Sequence, residues 1–209
     1  MENKNSEQGK ENEVKEPALK YGYISPDEFL EMERTSPPRY EYLDGRVVKK
    51  RRASQNNIEI NSVLLGEIFQ YLKDKPSRAY PPGMKVMSID RKSFSYPDMI
   101  IFGGDPMMVD FERDTMVNPG VLVDIFSNET ELNDLEEKFK YYQRIPTLRE
   151  YIMIDSWRWH ARFKRQQPNR EWRSYDISGS KGELTIQEIG FTLSFEKLYS
   201  NTTIWHFNK

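Results

Sequence analysis

Two aspartates break otherwise apolar runs in this chain, and a lysine follows them on a helical stretch. Asp98 lies in Tyr96-Pro97-Asp98-Met99-Ile100-Ile101-Phe102, Asp124 in Val121-Leu122-Val123-Asp124-Ile125-Phe126, and Lys138 in Glu136-Glu137-Lys138-Phe139. A carboxylate inside an apolar strand is costly unless it is paired or binds a cation. Two such oxygen donors suit a hard divalent ion, Mg²⁺ or Mn²⁺, which takes one or two carboxylates and keeps several waters. Such an ion activates water and offsets charge building on a phosphate, and a nearby ammonium would orient the water or stabilise the transition state. The expected chemistry is metal-assisted phosphodiester hydrolysis, with Asp98 and Asp124 as metal ligands. The plainer alternatives are a buried salt bridge or turn cap for each aspartate and a solvated helix position for Lys138.

The elements that would position these groups are legible in the pattern. Ser25-Pro26-Asp27-Glu28 is a helix start, with Ser25 as N-cap, Pro26 at N1 and Glu28 closing a capping box. Tyr40 to Val48 reads as a hairpin turning at Asp44-Gly45. Ile58, Ile60, Leu64, Leu65, Ile68, Phe69 and Leu72 recur at near-helical spacing, and Lys85 to Ile89 looks like a strand. Asp98 falls in the next strand and Asp124 in the one after. Glu131 to Arg144 is a helix capped by Asn128 or Thr130, with Leu132, Leu135, Phe139 and Tyr142 on one face. At ~100° per residue Lys138 stands roughly 80° from the centre of that face, on its shoulder. Its stem can run along the sheet while its head reaches the acids. Glu150 to Ile154 is a strand, Trp157–Arg165 and Trp172–Ile177 a second hairpin, and Leu184–Ile186 and Phe191–Phe195 later strands. This order describes an α/β chain with a mixed sheet flanked by helices.

Composition sets the limits. The 209 residues suffice for one domain with a real core, and residues 21–209 are expected to form it. Residues 1–20 are rich in Glu, Lys, Asn, Gln and Ser and read as a disordered polar tail. No apolar run approaches a membrane span or a signal-peptide core, so no membrane association is expected. The absence of cysteine excludes disulfides, thiolate metal sites and cysteine nucleophiles, and fits a cytoplasmic location. Two histidines, His160 and His206, cannot build a histidine-rich metal centre. A net charge of −2 does not advertise a nucleic-acid binder, although a local basic surface would suffice.

Several ordered motifs resemble the Uma-type putative restriction endonuclease family of the PD-(D/E)XK nuclease superfamily. They are Tyr40-Glu41-Tyr42-Leu43-Asp44-Gly45, Tyr96-Pro97-Asp98, Val123-Asp124-Ile125-Phe126-Ser127 with Thr130, Asp134-Leu135-Glu136-Glu137-Lys138 with Tyr142, and Glu150 to Asp155. The resemblance spans roughly Tyr23 to Asp155. It implies a restriction-endonuclease-like core: a mixed four-stranded sheet flanked by helices, with extra β-hairpins. It also implies Mg²⁺-dependent (or Mn²⁺-dependent) cleavage of DNA, and action as a homodimer so that both strands are cut. The first catalytic acid falls on Asp98 and the second on Asp124. In the wider superfamily the lysine stands two residues after the second acid, a position that is Phe126 here; the resemblance implies that in this branch it has migrated to the next helix, at Lys138.

Two departures from the family pattern bear on activity. The second acid is usually glutamate, and here Asp124 is one methylene shorter. A histidine commonly starts the helix after the first hairpin, and aligning Ser54-Gln55-Asn56-Asn57 puts Asn57 there, which cannot titrate near neutral pH. Asn57 and Glu41 are accessory catalytic candidates, Glu41 alternatively being a surface acid paired with Arg39 or Arg46. Lys49-Lys50-Arg51-Arg52 could contact phosphates or be a solvated hairpin end. Trp157, Trp159 and Trp172 could stack on bases or simply pack the second hairpin. The rival readings are a catalytically impaired member that binds DNA or protein, and an interaction domain in which Lys138 pairs with Asp98 and no metal enters.

Overall fold

The computed structural model describes residues 23–36, 39–109 and 114–204. The expected tail over residues 1–20, and His206, lie outside the described residues. Helix α1 (Pro26–Thr35) begins on the capping box read from the sequence: the Ser25 hydroxyl accepts the Glu28 N–H, and the Glu28 carboxylate accepts the Ser25 N–H at 2.7 Å. Strands β1 (Tyr40–Leu43) and β2 (Arg46–Lys49) form the first hairpin. Its turn residues Asp44 and Gly45 both have positive φ, the tight-turn geometry that Asp-Gly favours. Ser54 caps α2 (Gln55–Leu72), and β3 (Ser77–Tyr80), β4 (Lys85–Met87), β5 (Ser93–Ser95), β6 (Met99–Gly103), β7 (Thr115–Met116) and β8 (Val121–Phe126) follow. Asn128, of the two candidate caps, starts α3 (Glu129–Tyr142). Then come β9 (Glu150–Asp155), β10 (His160–Gln166), β11 (Trp172–Ser178), β12 (Glu183–Ile186), a 3₁₀ turn at Gln187–Ile189, β13 (Phe191–Ser194) and α4 (Phe195–Leu198).

The strands make a six-stranded sheet in the order β11-β10-β9-β8-β6-β3, a five-stranded sheet β2-β1-β5-β4-β7 and the pair β12-β13. The expected four-stranded mixed sheet corresponds to β9-β8-β6-β3, where β8 and β9 run parallel and the other pairs antiparallel. The count differs because the second hairpin does not stand apart: β10 pairs with β9 and carries the sheet on to β11. The first hairpin likewise joins β5, β4 and β7 rather than hanging free.

Strand β8 is buried along its whole length, as expected for a strand covered on both faces. Side chains alternate across a sheet, so Val121, Val123 and Ile125 pack against the α2 stripe Ile60, Leu64, Ile68 and Leu72. Leu122 and Phe126 point the other way, into the cluster under Leu132, Leu135, Phe139 and Tyr142 of α3. Each fully covered α2 aliphatic contributes about 1.5–3 kcal/mol. Ile58 and Phe69 share the helical spacing but are exposed, because the buried stripe runs at every fourth residue. No helix of the described residues is long and apolar enough to cross a membrane.

Candidate active site

Asp124 occupies the position in β8 between Val123 and Ile125, so its side chain faces α3 with those of Leu122 and Phe126. Pro97 has no N–H to give a ladder, and Asp98 stands one residue before β6. The antiparallel register Met99↔Val123 sets Asp98 opposite Asp124, and the Asp98 N–H donates to Val123 O at 2.9 Å. The two carboxylates therefore share one face at adjacent strand positions. Asp98 Oδ2 accepts the Ile125 N–H at 2.8 Å, and Asp124 Oδ2 accepts the Tyr151 hydroxyl at 2.9 Å. Asp124 Oδ1 has no hydrogen-bond partner among the described residues, while Asp124 itself lines a cleft of about 200 Å³.

Lys138, at the shoulder of the apolar face of α3, is buried and not solvated, with its Nζ 2.6 Å from Glu41 Oε2. Glu41 is thus not a surface acid paired with Arg39 or Arg46: it is 4% exposed and also accepts the Tyr96 N–H at 3.0 Å. The lysine on Asp98 is a different one, since Lys50 Nζ lies 3.2 Å from Asp98 Oδ1 and donates to the Tyr96 carbonyl. The direct Lys138–Asp98 pair required by the metal-free rival reading is therefore not formed. Lys50 was visible in the sequence only as part of a basic run. What singles it out is the pairing of β1 with β5, which carries the end of the hairpin to the segment before Asp98.

Charges this close shift one another. Burial pushes the Asp124 carboxyl up to about 6, aided by Asp98 and Glu41 and opposed by Lys138 and Lys50. Burial also pushes Glu41 upward, but Lys138 and Lys50 outweigh it and hold Glu41 below the usual carboxylate range. For Lys138, burial favours the neutral amine, yet Glu41, Asp124 and Asp98 more than offset it, so its ammonium is held above the ordinary lysine range. The centre therefore keeps a fixed cation beside an aspartate whose negative charge is strained by burial.

Asn57 lines the same cleft, but its side chain is committed to structure. Its Nδ2 donates to Ile125 O at 3.1 Å, and its Oδ1 accepts the Ser54 and Ser127 hydroxyls. It thereby braces the residue whose N–H holds Asp98. Its neighbour Asn56 ties Ser156 O to Thr203 across the fold, a role without a sequence signal. Arg46, Lys49, Arg51 and Arg52 form a basic wall of the cleft. Arg51 is tethered to Glu131 and lies near Asp134. Of the tryptophans, Trp159 packs on Tyr199 and Trp172 meets Phe139 edge-on, whereas Trp157 is exposed.

The donor set fits one class of metal. Among the described residues no group of three or more His, Cys, Asp or Glu side chains could hold an ion, which matches neither a zinc site nor a calcium cage. Two carboxylates opening on a cleft suit Mg²⁺ or Mn²⁺, which complete their shells with water and substrate phosphate. Asp124 Oδ1 is the free donor, and Asp98 Oδ1 would have to be released by Lys50.

Known proteins resemble this chain in sequence and in fold. The family model Uma2, described as "Putative restriction endonuclease", matches residues 26–196. Two uncharacterized proteins of Synechocystis sp. are similar in sequence. One, sll1609, is 22% identical over 75% of this chain and 89% of its own length. The other, slr1290, is 23% identical over 88% of this chain and 95% of its own length. The crystal structure of a putative nuclease belonging to DUF820 from Anabaena variabilis shares the fold, with a TM-score of 0.67 over 85% of this chain and 98% of that one, at 17% identity.

Proposed function

The chain belongs to the Uma2 family of putative restriction endonucleases, and from that membership we propose that it is a Mg²⁺- or Mn²⁺-dependent endonuclease hydrolysing phosphodiester bonds in DNA. The observation that carries this reading is the pair Asp98 and Asp124, on facing strand positions in a cleft that Arg46, Lys49, Arg51 and Arg52 line together with the α3 acids Glu131, Asp134 and Glu137. Both acids would hold the divalent ion, which when bound would lower the pKa of water and offset phosphate charge. Asp98 is oriented for this by the Ile125 N–H, and Asp124 by the Tyr151 hydroxyl. Lys138, fixed by Glu41, keeps positive potential at the floor and steadies charge on the reacting phosphate through space. In the reaction a water oxygen bonds to phosphorus, the bond to one sugar oxygen breaks, and the water's proton is lost to solvent while the leaving oxygen gains one. Arg46, Lys49, Arg51 and Arg52 would track the backbone without reading bases. A single cleft addresses a single strand, so double-strand cleavage calls for a homodimer. The lack of cysteine suits work in the cytoplasm.

One observation favours a second reading, a catalytically impaired member that binds DNA or protein. Both Asp98 oxygens are already engaged, Oδ1 by Lys50 and Oδ2 by the Ile125 N–H, so the acid is charge-compensated with no metal. Nicking of supercoiled and linear DNA with Mg²⁺ or Mn²⁺ separates the two. Metal-dependent cleavage by wild type, lost in Asp98→Ala and Lys138→Ala, supports the nuclease. A folded wild type that binds DNA and cuts nothing under either metal supports the binding module.

A further inference from the structure

We propose that Lys50 is a second working cation of this centre, held on Asp98 until a divalent ion takes that oxygen and then turned onto the substrate phosphate. The inference rests on the reading of the centre as a metal-dependent nuclease. It reassigns the direct phosphate contact from Lys138, the lysine that the family pattern marks, to a residue of the first hairpin.

Lys138 is poorly placed for that contact. Its Nζ is 2.6 Å from Glu41 Oε2, with both side chains no more than a tenth exposed. Moving it to a substrate would leave the Glu41 carboxylate buried without a counter-charge, which is costly. Lys50 is placed differently. Its side chain is 25% exposed on the cleft wall, and its partner Asp98 is 20% exposed. Its backbone is anchored by an N–H donated to Arg39 O at 2.9 Å, so the flexible four-carbon stem can swing on a fixed base. It is also the innermost member of a basic strip whose outer members, Arg46 and Arg52, are exposed at the cleft.

Charge bookkeeping gives the direction of the exchange. Glu41, Asp98 and Asp124 face Lys50 and Lys138, a net charge of −1 when all are ionised. A dication raises this to +1, repels the Lys50 ammonium, and competes with it for Asp98 Oδ1. A phosphodiester brings −1 and gives the released ammonium a new partner. Metal and substrate then occupy the site in a mutually supporting way, each relieving the charge the other creates.

The exchange leaves a signature of opposite signs. Removing the Lys50 charge should help metal binding and harm cleavage. Mn²⁺ binding to the full chain without DNA is measured by electron paramagnetic resonance for wild type, Lys50→Met and Lys50→Arg, with thermal melts confirming the fold. Cleavage of supercoiled DNA is measured on the same samples. Lys50→Met is expected to bind Mn²⁺ about fivefold tighter, the scale of a partly exposed ion pair. It should cleave about a hundredfold more slowly at saturating metal, the scale of one lost transition-state donor. Lys50→Arg keeps the charge and should retain wild-type Mn²⁺ affinity and most of the cleavage. Unchanged or weaker Mn²⁺ binding in Lys50→Met overturns the competition for Asp98. Wild-type cleavage by Lys50→Met overturns the phosphate contact. If wild type itself cleaves nothing, the nuclease reading fails, an outcome distinct from a Lys50 failure, which leaves wild-type cleavage intact.

Discussion

Lys138 and Glu41 form a buried ion pair, Nζ to Oε2 at 2.6 Å, that fastens the first hairpin to α3 beside Asp124. The pair connects two sheets through one helix and sets the electrostatic floor of the cleft. Its members lie 97 positions apart in the sequence, and in space they line the same cleft as Asp98.

Breaking that pair should destabilise the fold. Glu41→Ala leaves the buried Lys138 ammonium without its direct ion-pair partner, at a cost of about 3–5 kcal/mol. For a chain of this size that corresponds to a fall in Tm of roughly 6–20 °C. The double variant Glu41→Met with Lys138→Met should recover much of the loss while leaving cleavage absent. Differential scanning calorimetry of the single and double variants checks this, and a Glu41→Ala protein melting like wild type would count against a buried pair.

Asp124 should carry a stability cost that reveals its role. Its carboxyl is pushed up to about 6 from an ordinary 3.8, so the folded protein prefers it protonated. A raised acid pKa means that this group's contribution is most favourable below the ordinary value and is lost as pH rises through about 6. Asp124→Asn removes the dependence and should melt higher than wild type at pH 7.5, with the gap closing toward pH 4.5. The same variant should lose Mn²⁺ binding. Melting curves across that range without metal test both halves of the trade.

Asn57 should behave as a brace. Asn57→Ala frees Ile125 O and the Ser127 hydroxyl, each inside a hydrogen-bonded network, and should cost about 1–3 kcal/mol in urea unfolding. Cleavage should fall as well, because the Ile125 N–H positions Asp98. Since the Asn57 amide does not titrate, the pH profile of the residual activity should keep its wild-type shape. A displaced profile would return Asn57 to a proton-transfer role.

The basic wall should be sequence-blind. Arg46→Ala and Arg52→Ala each remove a phosphate contact and should flatten the slope of log affinity against log salt by about 0.9. Affinities for unrelated DNA sequences should drop together, and Mn²⁺ binding should not change. Fluorescence anisotropy at several salt concentrations measures the slope, and a loss confined to particular sequences would mean base readout instead.

Much of this arrangement is readable in the chain because local rules and global packing agree there. Exposed Ile58 and Phe69 aside, the capping box at Ser25, the Asp-Gly turn and the apolar stripe of α2 form where the pattern puts them. So do the strands around Asp98 and Asp124, since an acid in an apolar run leaves few alternatives. The polar edge strand Ser77–Tyr80 and the short β5 and β7 carry no period of their own and exist through pairing. Glu41 and Lys50 share that limit. Their partners lie 97 and 48 positions away, and nothing in either neighbourhood announces the distant charge. Helical phase puts Lys138 near the buried face, but only the approach of β1 takes it fully under cover.

The alternation along β8 has a consequence for how this protein can change over generations. Val123 and Ile125 look toward α2, and the acid between them looks toward α3. A single inserted or deleted residue in that strand would turn aliphatic side chains out of one layer and drive a carboxylate into the other. Any sequence able to fold this way therefore aims its acid correctly as a by-product of folding. Drift at the centre is confined to exchanges of one side chain for another, so ancestry can blunt the chemistry by substitution but cannot misalign it without losing the sheet.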